Sequence, residues 1–231
     1  CVMTEKLYPK NTKHYFHFVI LSVLFAVICI PTAGKTVDIL GVPLSVSIFY
    51  FPLIYVVADI LTEVYGYALA RRALWYSIIG QIITMAIFQF VAWMPPSTTL
   101  SNNESFVQIL SQAPIFVLVG TIAVFVGDVV NNYVLAKMKI KSKGKNMAAR
   151  FVVSTAAGEF TNTFIFYFFA LVLTGIIPMS VAFYSILLGA ILKICVEIVF
   201  LPLTIWVTKK IKEIEGIDVF DIKTDFNPLK F

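Results

Sequence analysis

Phe51-Pro52-Leu53-Ile54-Tyr55-Val56-Val57-Ala58-Asp59-Ile60-Leu61-Thr62-Glu63-Val64-Tyr65 is an apolar run that carries two acids four residues apart. At that spacing Asp59 and Glu63 share one helix face. Acids in so apolar a segment are costly unless they face a bundle interior. The remainder of the chain has the same character. Of 231 residues, 59% are hydrophobic and 13% charged, with mean hydropathy +0.89. A soluble domain carries roughly 25% charged residues. Half that share leaves too little polar surface to face water, which excludes the soluble classes.

A helix needs about 20 mostly apolar residues to cross the hydrocarbon core. Six segments qualify, at about 15–33, 43–65, 73–94, 113–136, 151–174 and 181–207. They are read as helices because lipid cannot satisfy backbone polar groups, and the alternation of a β-barrel strand is not seen. The expected fold is therefore all-α: one transmembrane domain over residues 1–231, a six-helix bundle.

Basic residues set the orientation. Lys6, Lys10 and Lys13 precede the first segment, Arg71 and Arg72 follow the second, and Lys137, Lys139, Lys141, Lys143, Lys145 and Arg150 separate the fourth and fifth. Lys209, Lys210, Lys212, Lys223 and Lys230 follow the sixth. Sixteen of the eighteen basic residues thus lie on one side, against Lys35 on the other and Lys193 within a segment. This predicts that both termini are cytoplasmic. It also accounts for the net charge of +5 without a nucleic-acid partner, since the 137–145 stretch then lies near anionic lipid. Residues 95–112 read as a polar, irregular outer loop, and the tail after Lys212 as short and mixed in charge.

Six ionisable residues fall inside the segments: Asp59, Glu63, Asp128, Glu159, Lys193 and Glu197. At 1.5 Å per residue, most lie roughly 10–20 Å from the basic ends of their helices, so four helices bring charge to one layer. Bland readings stand beside the functional one. Lys193 and Glu197, four apart, could neutralise each other. Glu63 could pair with Arg71 or Arg72, or one acid of the Asp59/Glu63 pair could be protonated. Asp128 with Asn131 and Asn132 could be interhelical hydrogen-bond glue. Glu159 resists such a reading, because it sits in the small, polar stretch Ser154-Thr155-Ala156-Ala157-Gly158-Glu159-Phe160-Thr161-Asn162, which admits close approach by a helix or a ligand.

Three cysteines, Cys1, Cys29 and Cys195, suggest no disulfide framework. Cys29 and Cys195 read as packing residues. Cys1 reads as a truncated or tagged start ahead of Met3, with no cleavable signal segment. The chain has no phosphate loop, no His-Glu-x-x-His and no Gly-x-Ser-x-Gly. His14 and His17 lack a ligand pattern. The sequence therefore predicts no enzyme activity, metal or cofactor.

The stretch from Phe51 to Tyr67, continuing through Ala70-Arg71-Arg72 and Trp75, resembles the signature of the queuosine precursor transporter family, also called the vitamin uptake transporter family. The Ser154 to Asn162 stretch resembles its second signature, although many relatives carry an acid where this chain has Asn162. Lys193, Glu197 and Leu201-Pro202 resemble its last helix. The resemblance implies uptake across the inner membrane of a 7-deazaguanine, such as 7-cyano- or 7-aminomethyl-7-deazaguanine. Shared depth and the cost of facing lipid predict that Asp59, Glu159, Asn162 and Lys193 face one interior cavity that binds the substrate, with Glu63, Asp128 and Glu197 close by. A guanine-like edge offers adjacent N–H donors that a carboxylate can accept, a carbonyl that Lys or Asn can donate to, and a flat face for aromatic walls. The alternatives are a substrate-binding subunit of a vitamin-type transporter, similar to those served by separate ATPases, or a non-transporting membrane scaffold. The partners expected are the small-molecule 7-deazapurine and membrane lipid, with a homo-oligomer or an energy-coupling partner as further candidates.

Overall fold

The computed structural model describes residues 12–32, 35–97, 102–111, 114–173, 175 and 178–230. Cys1, Lys6 and Lys10 lie outside them, as do 98–101 and 112 of the expected outer loop. Helix α1 spans Tyr15–Thr32 and is followed by a hairpin of β1 (Thr36–Ile39) and β2 (Val42–Ser45). A short 3-10 turn (Val46–Phe49) leads into α2 (Pro52–Tyr65). Helices α3 (Tyr67–Trp93), α4 (Asn103–Leu110), α5 (Pro114–Lys141), α6 (Met147–Ile165) and α7 (Met179–Glu215) complete the order, with a π-helical turn at Phe166–Val172 after α6. The protein is all-α and membrane-like. Helices α1, α3, α5 and α7 contain stretches long and apolar enough to cross a bilayer.

The second segment departs from the expectation of one helix over 43–65. Its first residues form β2 and the 3-10 turn, and the helix starts only at Pro52. Leu40 and Gly41 both have positive φ, 52° and 75°, the backbone of a two-residue hairpin turn. Ser45 caps the 3-10 turn by accepting from the Ser47 N–H. Pro52 stands at the start of α2, where its missing N–H removes no helical bond. What remains is a fourteen-residue helix, about 21 Å long.

Short as it is, α2 is the axis of the molecule. Twelve of its fourteen residues are buried, and it packs against α1, α3, α5 and α7. Gly66, at φ +83°, is the whole connection to α3, and a Cβ there would meet Val219 Cγ1 at 2.7 Å. Because the chain reverses in one residue, Arg71 and Arg72 belong to the second turn of α3 rather than to a loop. Lys137, Lys139 and Lys141 likewise lie on α5, and Lys209, Lys210 and Lys212 on α7. Part of the expected irregular outer loop is also helical, as α4. On α1, Ser22 and Ala26 are buried, and the Ser22 hydroxyl meets Ser77 at 2.8 Å, so this small-residue face serves packing against α3.

The tail after α7 is an ordered strap across one end of the bundle. The Asp221 carboxylate accepts from the Tyr67 N–H, at 3.1 Å to each oxygen, at the positive N-terminus of α3. Arg71 donates to the carbonyls of Asp225 (2.8 Å) and Asn227 (2.7 Å), and Trp75 Nε1 to that of Pro228 (3.0 Å). Trp75 is thus held by the strap. The N-terminal end of α1 joins the same end, where the His14 N–H donates to Glu215 at 2.6 Å.

Helices α5 and α6 cross at Gly127 and Gly158. A Cβ on Gly158 would lie 2.8 Å from the Gly127 carbonyl, 2.8 Å from Tyr55 Cε1 and 2.9 Å from Asn131 Cβ. Backbone cannot yield as a flexible side chain does. Gly158→Ala is therefore expected to lower stability by about 1–3 kcal/mol, read as an earlier thermal transition of the purified protein in detergent.

Candidate functional site

Buried polar residues form two layers along α2. Tyr55, Asp59 and Glu63 follow one another at four-residue spacing, so all three share one face, about 6 Å apart along the axis.

The layer nearer the strap centres on Glu63, which is fully buried. Its Oε1 accepts from Arg150 at 2.8 Å and Lys212 at 2.6 Å, and Lys139 lies 3.7 Å away. Lys139 donates to the Glu63 carbonyl (2.6 Å), the Val219 carbonyl (2.7 Å) and Asp218 (2.6 Å), which also pairs with Lys212 at 2.8 Å. Partial burial raises the Asp218 carboxyl, but its hydrogen bonds to Lys139 and Lys212 outweigh this and hold it below its ordinary range. The expected pairing of Glu63 with Arg71 or Arg72 is not found. The sharp turn at Gly66 puts Arg71 on the strap, and the cations on Glu63 come from α5, α6 and α7. Nor is the basic 137–145 stretch wholly a lipid-facing surface, because Lys139 is buried.

The deeper layer holds the other expected residues. Lys193 of α7 donates to Glu159 Oε2 at 2.9 Å, and to Asn162 Oδ1 and Thr163 Oγ1 at 3.3 Å. Its ammonium also sits 4.1 Å from the centre of the Phe51 ring. Lys193 thus pairs across helices with Glu159, and the intrahelical pairing with Glu197 does not form. Asp59 accepts from Asn131 Nδ2 at 2.8 Å and from Thr155 at 3.4 Å. The interhelical glue expected around Asp128 therefore runs through its neighbours: Asn131 binds Asp59, and Asn132 accepts from Thr62 at 2.9 Å.

Several buried polar atoms of this layer have no hydrogen-bond partner among the described residues: Tyr55 Oη, Asp128 Oδ1, Asn131 Oδ1, Glu159 Oε1 and both carboxylate oxygens of Glu197. Thr155 stands beside Glu197 as well as Asp59, but one hydroxyl proton serves one acceptor at a time. Tyr55 is within electrostatic reach of Glu159, Asp128, Asp59 and Glu197, so the orphaned atoms belong to one neighbourhood. Leaving each buried and unpaired costs about 1–3 kcal/mol. With the carboxyls ionised, five of the six atoms named can only accept, so what satisfies them is rich in N–H or O–H donors. Phe51 and Tyr55, with ring centres 6.0 Å apart, wall the layer with aromatic surface. The surface pocket lined by Ile48, Phe49, Leu192, Cys195, Val196 and Val199 is apolar and offers none of this chemistry.

Residues 45–207 match the family model described as "Putative vitamin uptake transporter". The chain belongs to this family. It is similar to a protein of Bacillus subtilis (strain 168) named "Probable queuosine precursor transporter", at 25% identity over 180 residues, covering 77% of this chain and 78% of that one. No solved structure matches. The chain is a multi-pass membrane transporter of the vitamin or queuosine-precursor type.

Sequence reasoning missed Tyr55, Thr155, Arg150, Lys139 and Lys212 as partners in the two layers. Tyr55 was within reach of it, one turn before Asp59. The rest depend on how each helix is rotated about its axis.

Buried and exposed charges of the transporter differ in what a substitution does to the fold. Glu63→Gln leaves three cations facing a neutral amide and should lower stability by about 3–5 kcal/mol. Lys210→Ala, which removes an exposed partner of Glu213, should change it by less than about 1 kcal/mol. Denaturant unfolding of the purified variants measures both.

Proposed function

We propose that this transporter imports a 7-deazaguanine base and binds it in the deeper layer. The observation that carries the reading is Glu159: fully buried, with Oε2 on Lys193 and Oε1 without a partner among the described residues. A guanine-like edge presents adjacent N–H donors that a carboxylate can accept together, and in this reading either Lys193, released from one of its present acceptors, or the Asn162 amide donates to the neighbouring carbonyl. Phe51 and Tyr55 supply walls for a flat ring. Asp59, Asp128 and Glu197 line the same neighbourhood, and Glu63 closes it toward the strap. The name of the similar Bacillus protein supports the same substrate class.

In this reading residues 1–231 act as one transporter domain with six crossings and both termini in the cytoplasm of the inner membrane. Helix α2 with its 3-10 entry, and α6 with its π turn, supply the two crossings that are too short or too polar to stand alone. The strap end gathers Lys139, Arg150, Lys212 and Arg71, and that basic end faces the cytoplasm. Cysteines placed at residues 102–111 should then react with an impermeant label from outside intact cells, and one at Lys143 should not. Reversed labelling would overturn the orientation.

Glu159→Gln keeps the shape but turns one acceptor into a donor facing donors. Uptake of labelled base should fall at least tenfold, equivalent to about 1.4 kcal/mol, while the protein still inserts. Adenine-like bases should compete poorly with guanine-like ones. Full binding by the variant, or equal affinity for the two kinds of base, would reject the assignment.

A further inference from the structure

Asp59 and Glu197 form a pair that the base does not explain. Both are buried, at 0% and 2% exposure, on neighbouring helices α2 and α7, and each lies in the other's electrostatic field. The Thr155 hydroxyl donates to Asp59 at 3.4 Å and lies near Glu197, whose two carboxylate oxygens have no hydrogen-bond partner among the described residues. Neither acid has a salt-bridge partner among the described residues. The nearby ammonium of Lys193 is committed to Glu159, Asn162 and Thr163, while the cations of the end layer are committed to Glu63 and Asp218. The other titratable groups around the pair are Tyr55 and Glu63 on α2, Asp128 on α5 and Glu159 on α6. From α1, Cys29 faces Lys193 and Glu159. Apart from Lys193, the deeper layer is acids and neutral groups. Two buried carboxylates that feel each other's charge, with no counter-cation, cannot both stay ionised in an apolar interior. Tyr55, buried with its hydroxyl unpartnered, lies within reach of both acids and offers a further hydrogen-bonding group at the same place.

We propose that Asp59 and Glu197 hold one proton between them, and that this proton enters with the base, making the transporter a proton symporter. This rests, for the identity of the cargo, on the reading under Proposed function. The step is a simple balance: a carboxylate oxygen takes H+ from the outer aqueous side, carries it as O–H, and releases it as H+ on the inner side. No electron moves. Thr155 satisfies whichever acid is ionised, and the proton on the other replaces a missing counter-charge. Base and proton share a layer, so bound base bears directly on where the proton sits.

Two measurements test this on the full chain. In nanodiscs, the infrared difference between acid and alkaline pH should show a protonated-carboxyl C=O component in the wild type that is lost in both Glu197→Gln and Asp59→Asn. In proteoliposomes, adding base outside should acidify the lumen, read by a trapped pH dye. At one proton per base, an inward step of one pH unit should support about tenfold accumulation (about 1.4 kcal/mol), which Glu197→Gln should abolish. Accumulation indifferent to the gradient with constant lumen pH would overturn the proposal, as would infrared spectra identical in the wild type and both variants. The two readings separate cleanly. No uptake of base by the wild type, with the infrared component intact, would reject the deazaguanine and leave the proton site standing.

Discussion

One carboxylate organises the end of this bundle. Glu63 is removed from water entirely, and an ion so placed is several kcal/mol unfavourable unless opposite charge surrounds it. Its cations come from three other helices, Lys139 from α5, Arg150 from α6 and Lys212 from α7. Satisfying Glu63 therefore requires four helices to end at the same height. Asp218 tempers the excess of positive charge and draws in the first residues of the strap, whose later residues fasten to α3 through Tyr67, Arg71 and Trp75.

Much of the fold was legible in the sequence because lipid imposes a simple rule on it: long apolar runs must be helices. The runs that became α1, α3, α5 and α7 were placed to within several residues at most ends. The errors have local causes. Pro43 and Pro52 bracket residues that read as apolar but form a strand and a 3-10 turn, and Gly66 compresses a predicted loop to a single residue. The basic residues were counted as lying in loops, yet many occupy the last or first turns of helices. Their clustering at one end survives the error, because what is counted is which end of the bundle a charge lies toward. The strap was not legible, since its order comes from partners more than 150 residues away, such as Tyr67 and Arg71.

The buried polar residues were legible as a set and less so as pairs. Composition singles out an acid in an apolar segment, and Glu159 and Lys193 do meet. Four-residue spacing suggested that Lys193 would answer Glu197, and proximity in sequence suggested that Arg71 or Arg72 would answer Glu63. Both suggestions fail for one reason. Spacing fixes which residues share a face, but packing decides what that face meets, and the close crossing at Gly127 and Gly158 sets where α5 presents Asn131 to α2 and where α6 presents Glu159 and Asn162 to α7. The single expected layer of charge is accordingly two layers: one neutralised by cations, the other left with surplus acceptors.

Helix α7 carries Lys193 in the deeper layer and Lys212 in the end layer, nineteen residues and about 28 Å apart on one continuous rod. Pro202 lies between them, where the ring removes the hydrogen bond to the carbonyl four residues earlier and leaves the helix its most pliant turn. The two layers are thus the two arms of a lever with a soft fulcrum. Any shift of Lys193 away from Glu159 loads one arm, and the load on the other is the bolt that Lys212 makes with Glu63.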